Sequence, residues 1–139
     1  MLFTIPELIM NGVSRNDYAE IIEEMTKGVT PDPLVDPFVS LVEYYQNRAM
    51  RMIKKRITDL EYQKIVDKTT GDSDLEDDLK DAELMFTQSY MIEARKKLND
   101  DGFQAQSEEG ISVTKEIGNT TTGELQRKAL ILIRRHYQC

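Results

Sequence analysis

The sequence predicts a mainly α-helical single domain: a small bundle of about four helices with one long extended or β-hairpin loop at about residues 99–120. Three observations predict this fold class. Apolar residues repeat at three- and four-residue spacing through four stretches of the chain. Residues suited to helix N-caps precede those stretches. A single stretch, before the last helix, alternates apolar and polar residues as a strand does.

The composition is that of one soluble domain with an acidic surface. A length of 139 residues fits one domain with a core of its own. The net charge of -7 opposes general attraction to nucleic acid or to an anionic membrane. The one cysteine, Cys139, excludes an internal disulfide and fits a reducing compartment. With no basic leader and no run near the roughly 18 apolar residues of a membrane span, we expect cytoplasmic synthesis and no membrane contact.

The first third of the chain predicts a flap, a helix and a connector. Residues 1–12 are expected to cover the edge of the core, with a short helix from about Pro6, or else to dock on a neighbour. Ser14 is predicted to cap a helix that carries Tyr18 on its apolar stripe and ends before Gly28. Residues 29–37 hold three of the four prolines and predict a stiff connector.

The second helix is predicted to begin with Asp36 as its cap and Pro37 as its first residue, and to run without a break to about Lys64. Its apolar face is continuous to Leu60. Its second half is crowded with basic residues: Arg48, Arg51, Lys54, Lys55 and Arg56. Two interpretations stay open. The cations favour the helix dipole, or they form a basic patch that meets an acidic surface.

The third helix, Leu75 to Leu98 with Ser73 or Asp74 as its cap, has apolar residues on two sides. One stripe consists of Leu79, Ala82, Phe86 and Tyr90, and the other of Leu84, Met91 and Leu98. Two stripes predict a helix held between the core of its own chain and a second partner. For the second stripe that partner is either the closing helix or a neighbouring subunit.

The segment of residues 99–122 is predicted to protrude as a loop. Its alternating Ile111, Val113 and Ile117 predict a strand, which pairs with residues 103–107 or adds to an edge in another subunit. Thr121 and Glu124 form a capping box. The closing helix follows at residues 125–137, with His136 on its apolar stripe.

No pattern in the sequence predicts bond chemistry. The acidic run from Asp67 fails the calcium-loop template because Asp72 stands where glycine is required. His136 and Cys139 could supply two ligands to a zinc ion, but a zinc site needs three or four. No activated nucleophile and no glycine-rich phosphate loop is present. We therefore expect no enzyme activity, no metal and no cofactor.

Four stretches in this order resemble a known family. They are DPFVSLVEYYQNRA, AELMFTQSYMIEAR, the polar EEGISVTKEIGNTT and the closing LQRKALILIRRHY. Together, over roughly residues 34–137, the chain is similar to the head–tail connector (adaptor, or head-completion) proteins of tailed bacteriophages. It departs from them in its longer residues 1–30 and in the Ile/Val alternation of the loop.

The resemblance implies a structural protein of the virion neck. Copies would form a ring of about twelve below the portal, line the DNA exit path and contact portal and tail or stopper proteins. The residues expected at interfaces are Met91 and Leu98, Ile111, Val113 and Ile117 in the loop, and Arg48, Arg51 and Lys55 against acidic residues of a neighbour. The alternative is a small monomeric helical regulator that binds a protein partner or DNA, although the long connections do not fit a helix-turn-helix.

Overall fold

The computed structural model describes residues 1–30, 32–102 and 122–137, and within these residues the chain is mainly α-helical without a strand. The elements are α1 (Ile5–Met10), a 3₁₀ turn (Asn16–Tyr18), α2 (Ala19–Thr26), α3 (Pro37–Lys54), α4 (Asp59–Val66), α5 (Ser73–Gly102) and α6 (residues 122–134). The mainly α fold class is therefore confirmed. The predicted strand at 111–117 and the cap at Thr121 lie outside the described residues.

The predicted helix from Asp36 to about Lys64 is two helices. Asp36 caps α3 as expected, since its side chain accepts the Phe38 N–H at 3.0 Å. The helix ends at Lys54, and α4 begins after Thr58, whose hydroxyl accepts the Glu61 N–H at 3.1 Å. This second cap satisfies the start of a new helix and redirects the chain. Leu60, assigned to the continuing apolar face, is in fact exposed.

Helix α5 is the central element, and its own chain covers its first apolar side and, except at Leu98, its second. Leu79, Ala82, Phe86 and Tyr90 belong to a core cluster with the second half of α3, with α4 and with α6. Leu84 and Met91 belong to a second cluster, in which the other members come from the N-terminal segments and the first turns of α3: Phe3, Leu8, Val13, Tyr18, Phe38, Leu41 and Val42. Neither the closing helix nor a neighbouring subunit is needed to cover them.

The N-terminal segment, expected to be a flap at the core edge, contributes buried residues to that second cluster. Thr4 and Glu7 form a capping box at the start of α1, which begins at Ile5. Phe3 and Leu8 are buried, and the Glu7 carboxylate pairs with Lys80 of α5 at 2.9 Å. Ile9 and Met10 remain exposed. The segment is therefore held to α5 by apolar packing and by an ion pair.

The boundaries of three other elements differ from the prediction. Ser14 does not cap a helix: a 3₁₀ turn precedes α2, and Tyr18 is the buried residue of that stretch. The side chain before α5 that accepts a backbone N–H, that of Leu75 at 3.1 Å, is Asp72 and not Ser73 or Asp74. The helix continues four residues past Leu98, to Gly102, so the predicted loop does not begin at residue 99.

Candidate interaction surface

Three of the predicted interface residues line one groove. Arg48 and Arg51 of α3 and Lys55, which directly follows the last residue of α3, are separated by three and four residues, so they form a ridge on a single face. All three are exposed. Opposite them stand Tyr90 and Glu93 of α5 and Gln126 of α6, and with Met52 these residues enclose a cavity of about 390 Å³. We call Arg48, Arg51 and Lys55 the basic ridge.

Aromatic packing fixes the position of Arg48. Its guanidinium lies 4.2 Å from the centroid of the Tyr90 ring, a cation–π contact. Tyr90 is buried and stacks on Phe86 with ring centroids 6.2 Å apart. Burial raises the pKa of the Tyr90 hydroxyl, and the nearby Arg48 charge opposes that rise. The first residue of the basic ridge, Arg48, is therefore held in place by packing on a buried side chain.

The floor of the groove ties α5 to α6. The Gln126 amide donates to Glu93 Oε1 at 3.1 Å and approaches the Ser89 hydroxyl at 3.4 Å. At the other end of α6, His136 Nε2 lies 2.7 Å from Asp78 Oδ2. Because residue 126 lies beside 93 and residue 136 beside 78, α6 runs antiparallel to α5. His136 is partly buried by this contact, as its place on the apolar stripe predicts.

The groove continues into a second cavity of about 420 Å³ on the side of α2. Arg48, Tyr90 and Glu93 border both cavities, and Leu98 borders the second one only. Leu98 is half-buried and keeps an accessible part. Of the two second-stripe residues predicted at an interface, Met91 and Leu98, Leu98 is thus the one that reaches the surface.

Met91 does not lie at a surface. Its side chain is 0 % exposed and packs among the N-terminal segments and α3. A side chain enclosed by its own chain has no area left for a neighbour, so the assignment of Met91 to an interface is corrected to a core position. Ile111, Val113 and Ile117 lie outside the described residues, and their assignment stays a prediction.

One buried carboxylate was not predicted from the sequence. Glu83 on α5 is 0 % exposed. Its Oε2 accepts the backbone N–H of Leu2 at 2.6 Å, and its Oε1 accepts the Gln46 amide at 3.0 Å and the Tyr62 hydroxyl. Burial, with the Glu83 charge beside it, raises the pKa of Tyr62 far above its usual range. The sequence does contain one indication that Glu83 is buried: it lies between Ala82 of one apolar stripe and Leu84 of the other.

The Glu83 cluster joins three distant parts of the chain to α5. Leu2 comes from the N-terminal segment, Gln46 from α3 and Tyr62 from α4. The hydrogen bonds satisfy each carboxylate oxygen at least once, which is what a buried acid needs. Its hydrogen bonds hold the N-terminal segment, α3 and α4 to α5, which are the elements around the groove.

Comparisons with protein families, with curated proteins and with solved structures found no match to this chain. In the part of the chain that the structure describes, no three His, Cys, Asp or Glu side chains are grouped so as to hold a metal ion. Among the same residues, no helix combines the length and the apolar character that crossing a membrane requires.

Proposed function

We propose that the chain is a structural assembly protein: a head–tail connector of the tailed-bacteriophage type, located in the virion neck. Its copies form a ring of about twelve below the portal and line the DNA exit path. Its work is contact between subunits and with portal and tail or stopper proteins, without bond chemistry and without a cofactor. The sequence resemblance supplies the family, and the surface of the domain supplies the support that follows.

The observation that carries the proposal is the basic ridge beside its groove. Arg48, Arg51 and Lys55 have no acidic side chain within ion-pair distance among the described residues, and Arg48 makes a cation–π contact with Tyr90. Exposed cations on a well-packed helix are free to meet the carboxylates of another protein. A rigid domain with such a ridge suits repeated contact between copies.

The proposal also includes the chain segment between α5 and α6. Residues 103–121 connect the end of α5 to the start of α6, at the end of the domain where Gln126 and Glu93 form the groove floor. In the proposed ring this segment, with Ile111, Val113 and Ile117, protrudes as the predicted loop and contacts a neighbouring copy or the portal.

The net charge of -7 suits a DNA exit path. A strongly basic channel would bind phosphates and hold the passing genome, whereas an acidic subunit lets it move. In the proposed ring the basic ridge is therefore turned toward protein carboxylates, and DNA contact is transient.

The test is assembly on a portal. The purified chain is mixed with the portal protein of its own genome, and the mass of the complex is measured by size-exclusion chromatography with light scattering. The expected result is a complex that carries a ring of copies, with a portal from an unrelated phage as the specificity control. A chain that stays monomeric with its own portal and with every other neck protein of that genome would contradict the proposal.

A further inference from the structure

We propose that neighbouring copies pair the basic ridge of α3 with an acidic ridge on α5, formed by Asp74, Asp77 and Asp81. This inference rests on the proposed function and names the contact by which the ring is built. The partner is a second copy of this chain, and the contact is head-to-tail, since two different surfaces meet.

The two ridges match in spacing. Asp74, Asp77 and Asp81 are separated by three and four residues, as are Arg48, Arg51 and Lys55. Each set therefore occupies one face of its helix and spans about 10 Å, at 1.5 Å per residue. All six side chains are exposed. Two helices laid side by side can thus oppose three anions to three cations without a change in either backbone.

A single copy cannot pair its own ridges. Tyr90, which borders the basic ridge, follows Asp81 by nine residues, or about two and a half turns of α5. The acidic ridge consequently lies on the opposite side of α5 and about 13 Å or more along its axis from the groove. Charges that are complementary but placed on opposite sides of one subunit favour a contact that repeats from copy to copy.

The helix dipole accounts for only part of each ridge, since Asp74 lies in the first turn of α5 and Arg51 in the last turn of α3. Acidic side chains are favoured in the first turn of a helix and basic ones in the last. Asp81 is the ninth residue of α5, which begins at Ser73, and Arg48 lies before the last turn of α3, whose basic residues are Arg51 and Lys54. Both ridges therefore extend beyond the reach of the dipole.

The carboxylates of the acidic ridge lie close to other carboxylates on α5. Partial desolvation by the surrounding protein raises the pKa of Asp81, Lys80 opposes the rise, and the charges of Asp78 and Asp77 raise it further. The Lys80 ammonium is already paired with Glu7 at 2.9 Å, and Asp78 with His136. Asp74, Asp77 and Asp81 have no ion pair among the described side chains. Cations from the next copy would both neutralise this repulsion and fill the unpaired positions.

The test is a charge swap measured by assembly on the portal. Arg51→Glu with Lys55→Glu makes both ridges acidic, and Asp77→Lys with Asp81→Lys makes both basic. Each variant alone should assemble at least about tenfold more weakly than the wild type, because like charges then face each other. An equal mixture of the two should regain assembly within about threefold of the wild type, since each ridge again meets its opposite. Glu20→Lys with Glu23→Lys, which changes the net charge as the second variant does, is the control and should assemble normally.

The outcomes separate this contact from the function on which it rests. If the wild type assembles on the portal and neither reversal weakens it, or if the mixture stays as weak as its components, the ridge contact is wrong and the connector function stands. If the wild type assembles neither on its portal nor with any other neck protein of its genome, both are wrong. Circular dichroism checks that the variants keep their helicity, and the single substitutions Lys55→Glu and Asp81→Lys repeat the test if a double variant does not fold.

Discussion

Replacing the buried Glu83 by alanine tests the framework that holds the groove. The carboxylate accepts hydrogen bonds from Leu2, Gln46 and Tyr62, and the last two donors are buried. Each buried donor left without an acceptor costs about 1–3 kcal/mol, so two cost about 2–6 kcal/mol. Part of this loss is offset, because the alanine variant no longer has to desolvate a carboxylate on folding. We expect Glu83→Ala to lower the free energy of unfolding by about 2–4 kcal/mol.

The assay is urea unfolding followed by far-ultraviolet circular dichroism. Glu23→Ala on the exposed face of α2 is the matched control and should change the free energy of unfolding by less than about 0.5 kcal/mol. Tyr62→Phe deletes one donor to the same carboxylate and should cost about 1–3 kcal/mol. It supplies the answer if Glu83→Ala does not fold. Both variants being as stable as the control would refute the buried hydrogen-bond cluster.

Three further predictions concern the core, a cap and acid stability. Met91→Ala should lower the free energy of unfolding in urea by about 2–5 kcal/mol, because it leaves a cavity in the core. Met10→Ala, at a position that is 86 % exposed, should lower it by less than about 0.5 kcal/mol. Equal losses would contradict the burial of Met91. Thr58→Ala should cost about 1 kcal/mol by removing the cap of α4, and Thr58→Ser should restore it; no loss would mean that the cap is not formed. The Arg15 side chain and the Phe38 N–H lower the pKa of Asp36, so its contribution is present above the ordinary pKa of about 3.9 and is lost as the pH falls through the lower folded value. Urea midpoints measured across that acid range should fall less steeply for Asp36→Asn, and an unchanged slope would contradict the pairing.

Periodicity predicted which faces of the helices are apolar, but it did not say which segments cover them. Leu84 and Met91 were correctly placed on a second apolar side of α5. Their cover is Phe3, Leu8 and residues of early α3, which are distant in sequence and have no local signal of pairing. Leu98 stays partly accessible because the same segments do not enclose it. An apolar stripe therefore identifies a buried face, and its partner depends on the topology of the whole chain.

The break between α3 and α4 shows a local signal that periodicity outweighed. Apolar residues continue at helical spacing to Leu60, which favoured one long helix. Thr58 followed by Glu61 is also a cap signature, and in the structure the cap determines the path of the chain. Glu83 is the opposite case, in which contacts distant in sequence determine the outcome. A charged residue reads as a surface position, and its burial depends on donors from three other segments that no short window contains.

The basic ridge was predicted from sequence as a set of residue types, while its surroundings were not. Spacing alone places Arg48, Arg51 and Lys55 on one face of a helix. That they border a groove closed by Tyr90, Glu93 and Gln126 follows from the antiparallel packing of α6 on α5, which the sequence does not specify.

The most direct measurement is electron cryo-microscopy of the purified portal mixed with this chain. Class averages should show a closed ring of copies coaxial with the portal, with α3 of one copy against α5 of the next. Class averages of bare portal, with the chain remaining monomeric there and in the presence of every other neck protein of its genome, would contradict a connector function.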